Sequence, residues 1–278
     1  MTYQKVLLKK LKIGVLVSGG GTNLQAILDA CDNQVIDGKV VVVGSDIPDA
    51  YGLDRAKKFA VPTFCIDYKT ISRQYNQTNG KIPPPRDFDL NDIYVKQTIF
   101  SKEEDPEYVK NYLKIRAIAE EKLYTELMEH NCELLVLAGF MRLLSPYFID
   151  KFNAGAETPR IMNIHPALLP AFPGTDGYGD TFRYGCKIGG CTVHFVDYGE
   201  DTGPIIGQKA FQIMENDTLK SVMKRGLTLE WKLYPECIQL FAQKRLKLVN
   251  TSYRMSNGKT VNRKIVQRWD LDDIRETV

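Results

Sequence analysis

Short, almost wholly apolar runs rich in β-branched residues recur at 13–17, 39–44, 62–66, 133–138 and 160–164, separated by helical patterns at 22–33, 50–60, 107–130 and 145–152. Runs such as VVVV (40–43) and LLVLA (134–138) have no polar face, so these strands must be covered on both sides. Parallel strands with right-handed helical crossovers meet that demand, because each crossover lays a helix on the sheet. The sequence therefore predicts an α/β, Rossmann-like fold, a mostly parallel central sheet with helices on both faces. After residue 190 the pattern changes. GCTVHFV and PIIGQKAFQI read as strands joined by a short acidic loop, an antiparallel C-terminal extension. A helix is expected at about 217–243, kinked or broken at Pro235. Asn257-Gly258 between two further strand-like runs signals a hairpin. This divides the chain into one main domain over 1–250 and a C-terminal hairpin or tail over 251–278.

Residues 74–106 fit no compact α/β unit. They are polar, carry Pro83-Pro84-Pro85 and show no clear period, and ordinary connections are far shorter. This is an insertion. It leaves the sheet after the third strand, at the edge where ligands bind, so it is expected either to cover that end of a cleft as a lid or to pack on the outer surface.

Several function classes fall away on composition. Hydrophobic residues make up 44% and charged residues 26% of the 278, and no apolar run approaches the roughly 20 residues needed to cross a bilayer. No membrane partner is expected. A net charge of +3 with both signs interspersed gives no broad cationic surface, so no nucleic-acid partner is expected. The basic and apolar N-terminus superficially suggests a secretion signal, but it leads into a glycine turn without an A-x-A site. With six cysteines and no C-x-x-C pair, the expected compartment is the cytoplasm and the thiols are read as reduced.

The stretch KIGVLVSGGGTNLQAILDA (12–30) passes from strand through glycines into helix. Such a turn lets backbone N–H groups converge where the helix N-terminus adds partial positive charge, and a phosphate is the natural guest. The dinucleotide fingerprint needs glycine where Leu24 stands, and the mononucleotide P-loop needs an absent Gly-Lys pair. The bland alternative is a turn in which Thr22 or Asn23 caps the helix and binds nothing.

In open α/β sheets ligands bind beyond the carboxyl ends of the strands. Three stretches occupy that edge: Ser18 to Asn23, GFMRLL (139–144) and MNIHPALLP (162–170). His165 alone of the three histidines stands at such an end, and Asn163 two residues earlier shares its face of an extended segment. An amide donor beside a titratable imidazole can hold a developing oxyanion and move a proton. Asp201, in a loop between late strands, is either a turn aspartate or a partner for His165. His194 reads as a buried strand residue and His130 as a helix-end surface residue.

SGGGTNLQAI, GLDRA (52–56), LAGFMRLLSP (137–146), NIHPALLPAFPG (163–174), TVHFVDYGEDTGPII (192–206) and LEWKLYP (229–235) occur in that order. In this the chain resembles the folate-dependent formyltransferase family, and within it the glycinamide ribonucleotide formyltransferases. The resemblance covers about residues 12–72 and 107–250. It implies formyl transfer from 10-formyltetrahydrofolate to the amine of glycinamide ribonucleotide in de novo purine synthesis, with no metal. It further implies that Asn163 and protonated His165 stabilise the oxyanion while Asp201 holds the imidazole. Gly21, Thr22, Asn23, Glu230 and, on a loose alignment, Arg73 would bind the ribonucleotide. Met141, Arg142, Leu143 and Leu144, with Val196, Asp197, Tyr198, Gly199 and Glu200, would form the folate cleft. The expected partners are these two small molecules, in a monomer or homodimer. Asp176 stands where the family usually has a histidine.

Within the family, a formyl-folate hydrolase or an enzyme with an amino sugar or methionyl-tRNA acceptor would share Asn163, His165 and Asp201. A hydrolase would need no phosphate loop, and the tRNA enzyme would want a more basic surface. From other classes, a dinucleotide-dependent oxidoreductase would place Asp46 on a ribose, and a silent nucleotide-binding protein would bind without turnover.

Overall fold

The computed structural model describes residues 9–269. Its elements run β1 (Leu11–Val17), α1 (Thr22–Asp32), β2 (Gly38–Ser45), α2 (Tyr51–Lys58), β3 (Thr63–Cys65), α3 (Tyr68–Gln77), α4 (Leu90–Lys96), α5 (Pro106–Glu129) and β4 (Leu134–Leu137). There follow α6 (Pro146–Asn153), β5 (Ile161–His165), α7 (Gly177–Arg183), β6 (Ile188–Phe195), β7 (Ile205–Gln212), α8 (Leu219–Ala242), β8 (Leu246–Arg254) and β9 (Thr260–Arg268). Seven strands form one sheet in the order β3-β2-β1-β4-β5-β6-β7. The first five are parallel, and β6 and β7 add antiparallel, as the change of pattern after residue 190 predicts.

The two-sided burial read from the apolar runs is carried by alternation. Val15 and Val17 of β1, with Leu134 and Val136 of β4, join one core layer with α1 and α8. Leu16, Leu135 and Leu137 point the other way, into a layer with Leu123 of α5 and Phe148 of α6. The order reverses between β1 and β4, so the loops that leave their carboxyl ends flank a crevice. Hydrogen bonds from Ser18 N to Gly139 O (3.0 Å) and from Ala138 N to Leu16 O (2.8 Å) hold the two loops together.

One expectation needs correction. Pro235 does not break α8, which runs unbroken from Leu219 to Ala242. Leu233, Tyr234, Cys237 and Ile238 are buried on both sides of the proline, and the Tyr234 hydroxyl donates to Leu137 O and Met162 O at 3.0 Å each. Tertiary packing there outweighs the missing amide. The expected hairpin forms from β8 and β9, beginning at Leu246, whose buried side chain belongs to the main core. The last part of the tail, 270–278, lies outside the described residues.

The insertion is not a featureless loop. Asp89 caps α4 through the amides of Asn91 and Asp92, and Ile93 builds a third core with Val109, Leu113 and Ala117 of α5 and Tyr147 of α6. Phe88 meets Tyr147 edge-on at 5.6 Å and Phe100 meets Tyr112 at 4.9 Å. This is the outer-surface packing, away from the glycine loop. Among the described residues, none from 74 to 106 lines the cleft at that loop.

Candidate active site

At the sheet's carboxyl edge a cleft of about 430 Å³ gathers the three motif stretches. Gly21, Thr22, Asn23 and Glu230 line one end. Residues 141–144 and 196–200 line the other, with Asn163, His165 and Asp201 among them.

The glycine loop is built for backbone approach. Gly21, the N-cap of α1, has φ 65° and ψ 36°, and a Cβ there would lie 2.8 Å from Gly52 Cα, so both conformation and space demand glycine. Capping by Thr22 or Asn23 does not occur, since no side chain caps α1. The first amides of the helix therefore have no side-chain cap. Arg55 braces the loop from behind, its Nε donating to Gly20 O at 2.7 Å. The Asn23 amide turns instead to Glu230 Oε2 (2.7 Å), whose Oε1 accepts from the Tyr178 hydroxyl (2.6 Å). Burial pushes the Glu230 carboxyl up, while these two hydrogen bonds oppose the rise.

His165 ends β5 with its ring between two acceptors. Nδ1 lies 3.1 Å from Asp201 Oδ2 and Nε2 lies 2.7 Å from Phe172 O. With an acceptor beside each nitrogen, the ring is placed to donate from both when it is protonated. Burial works against that charge, yet the hydrogen bond and charge of Asp201 outweigh it and leave His165 above its ordinary value of 6.5. Asp201 would be raised by burial. Hydrogen bonds with His165, His194 and the Gly174 amide hold it well below the usual carboxylate range instead. Its φ of 54° aims the carboxylate back under the ring.

Asn163 faces the same carboxylate, with Nδ2 3.4 Å from Asp201 Oδ1 and 3.3 Å from His194 Nε2. His194 is buried within a strand, as expected, but it also touches the site. Antiparallel pairing of β5 with β6 sets it directly opposite Asn163. Its Nδ1 lies 2.9 Å from Phe195 O, and its Nε2 lies 3.3 Å from the Asn163 amide and 3.4 Å from Asp201 Oδ1, so it packs against both groups.

Met141, Leu143 and Leu144 all line the cleft, Met141 and Leu143 exposed and Leu144 buried. Arg142 turns away, its Nε 2.5 Å from Asp46 Oδ2 and its guanidinium over the Tyr68 ring at 4.5 Å. Behind this loop Arg116 donates to Leu143 O, and Glu120 accepts from Ser145 N at 2.9 Å, a buried brace that sequence reasoning missed. Across the cleft Asp197 Oδ1 closes a turn by accepting from Gly199 N (3.1 Å) and Thr202 Oγ1 (2.6 Å).

Two sequence candidates lie apart from these groups. Arg73 is not brought to the glycine loop. It lines a neighbouring cavity of about 760 Å³ with Tyr68, Arg116 and Arg142, where α3 packs against α5. Asp176 reaches the cleft rim but pairs with Arg183 at 2.6 Å. Among the described residues no group of three potential ligands is placed to hold a metal, and no helix is long and apolar enough to cross a membrane.

Residues 11–238 match the family described as formyl transferase. The phosphoribosylglycinamide formyltransferase of Bacillus subtilis is 33% identical over 228 residues, 82% of this chain and 93% of that protein. The trifunctional purine biosynthetic protein adenosine-3 of Chironomus tentans is 33% identical over 241 residues, 86% of this chain but 14% of its own length. Among solved structures, glycinamide ribonucleotide transformylase 1 from Symbiobacterium toebii superposes with a TM-score of 0.69 at 34% identity, covering 97% of this chain and 98% of that one.

Proposed function

The chain belongs to the formyl transferase family, and on that premise we propose that its cleft carries a formyl group from 10-formyltetrahydrofolate to the amine of glycinamide ribonucleotide, a step of de novo purine biosynthesis. The chain is a formyltransferase, and formyl-folate is the co-substrate of its family. The observation that carries the assignment of roles is the meeting, in one cleft, of an uncapped glycine-loop helix with a histidine–carboxylate pair and a free-edged amide.

The ribonucleotide's phosphate rests on the amides of Gly21, Thr22 and Asn23, with Glu230 and the buried, unpartnered Asn23 Oδ1 left to accept from sugar hydroxyls. The pteridine lies between residues 141–144 and 196–200, where backbone groups offer hydrogen bonds and Met141 and Leu143 offer apolar contact. The uncharged amine attacks the formyl carbon, a C–N bond forms and the carbonyl oxygen becomes an oxyanion. Asn163 Nδ2–H and His165 Nε2–H donate to it, the latter leaving the Phe172 carbonyl. Asp201 keeps the ring charged and correctly turned. As the bond to the folate nitrogen breaks, that nitrogen gains the proton that the acceptor amine loses.

The competing readings have less support. A dinucleotide enzyme needs Asp46 for a ribose, yet Asp46 is taken by Arg142 and by the Ser18 hydroxyl at 2.5 Å. A hydrolase leaves the phosphate loop without a purpose. The expected compartment is the cytoplasm, on the cysteine pattern alone. Formyl transfer measured with glycinamide ribonucleotide, with its dephosphorylated riboside and with water alone tests the acceptor. The ribonucleotide is expected to be turned over far better than the other two, whereas formate release of equal rate without any amine would make the protein a hydrolase.

Gly21→Val is expected to raise KM for the ribonucleotide much more than KM for formyl-folate, and to lower stability by about 1–3 kcal/mol through its left-handed backbone. Steady-state kinetics with each substrate varied, and thermal unfolding, check both parts. Equal effects on the two KM values would remove the loop from the acceptor site.

A further inference from the structure

The insertion runs along α6 and ends against the cleft. Its first anchor is Asp87, which bonds Lys151 (2.8 Å) and the Tyr147 hydroxyl (2.9 Å). Its second is Lys96 at the end of α4, whose ammonium bridges Asp92 (2.6 Å) and Asp150 of α6 (2.9 Å). Asp150 also accepts from the Tyr198 hydroxyl, and two residues past Lys96 the Thr98 hydroxyl donates to the Tyr198 backbone carbonyl. Tyr198 therefore has both its side chain and its backbone tied, one through α6 and one directly, to a segment that contributes nothing else to the cleft. It lies within the loop 196–201, which lines the cleft and carries Asp201.

We propose that the insertion is a strap that positions the folate-side loop, with Thr98 and Lys96 as positioning residues acting through Tyr198 and Asp150. An untied loop of this kind samples conformations that cannot bind, and ligand affinity falls by the competent fraction. A strap raises that fraction without touching ligand. The two substrates should feel it unequally, since the glycine loop is held independently by Arg55, Gly139 and the start of α1. The proposal rests on the folate reading given above.

The test uses the whole chain, with tetrahydrofolate for calorimetric titration and the full substrate pair for kinetics. In Lys96→Ala/Thr98→Val, KM for formyl-folate and Kd for tetrahydrofolate are expected to rise about two- to tenfold, the worth of one net hydrogen bond. KM for the ribonucleotide should stay within about twofold. Thr98→Ser, which keeps the hydroxyl, is expected to bind as the wild type does. Thr98 is exposed, so Thr98→Val alone serves if the double variant does not fold. A folded variant with unchanged folate Kd, or with equal rises for both substrates, would overturn the strap while leaving the folate reading intact. A wild type that binds no tetrahydrofolate would overturn both.

Discussion

Asn163→Ala is expected to lower kcat by about a hundredfold to a thousandfold, or about 2.7–4 kcal/mol of barrier, with much smaller changes in either KM. The amide is worth that much only if it meets charge that exists in the transition state and not before. Its geometry suits this role: its contacts with Asp201 and His194, at 3.4 and 3.3 Å, are long, so the N–H groups are oriented without being saturated. His194 faces the amide from across the β5–β6 ladder. Pre-steady-state turnover of the variant checks the prediction, and an unchanged kcat would strip Asn163 of its part.

The second large effect concerns a pair. His165→Ala and Asp201→Asn should each cost about 10²- to 10⁴-fold in kcat, and the double variant should be scarcely worse than the poorer single, because one group acts through the other. Asparagine tolerates the positive φ at 201, so the backbone is spared. Since Asp201 raises His165, its loss should also move the alkaline limb of the pH profile to lower pH. Stability follows with definite signs. The raised histidine contributes fully below 6.5, and the contribution is lost as pH rises through its folded value. The depressed aspartate contributes fully above 3.8, and that is lost as pH falls through its folded value. The stability gap between wild type and Asp201→Asn should therefore be widest between 3.8 and 6.5. Additive kinetic losses, or a gap independent of pH, would mean the two do not act together.

What could be read from the chain, and what could not, divides on physical lines. The parallel sheet was legible because VVVV and LLVLA exclude any half-exposed strand, and the three edge stretches were legible because strand ends and glycines mark where ligands can approach. His194 escaped as a site residue because only the register of β6 against β5 sets it beside Asn163, and register is a tertiary fact. Arg116 and Glu120 escaped because two charged residues on a long helix look solvated until the loop they brace is folded over them. In the insertion, α4 spans only Leu90–Lys96, too short for a period to show, although Asp89 ahead of it is a cap signal that could have been read. Arg73 lines a neighbouring cavity with Tyr68, Arg116 and Arg142, a placement that a loose alignment could not supply.

In this mechanism the formyl carbon passes to the amine of a ribonucleotide whose phosphate the glycine loop holds. A single turnover with 10-formyltetrahydrofolate labelled at the formyl carbon and excess glycinamide ribonucleotide, quenched and resolved by mass, tests this most directly. The label is expected in the ribonucleotide, stoichiometric with enzyme and heavier by one formyl group in place of a hydrogen. Label recovered as formate, or retained on the folate while the ribonucleotide is unchanged, would contradict it.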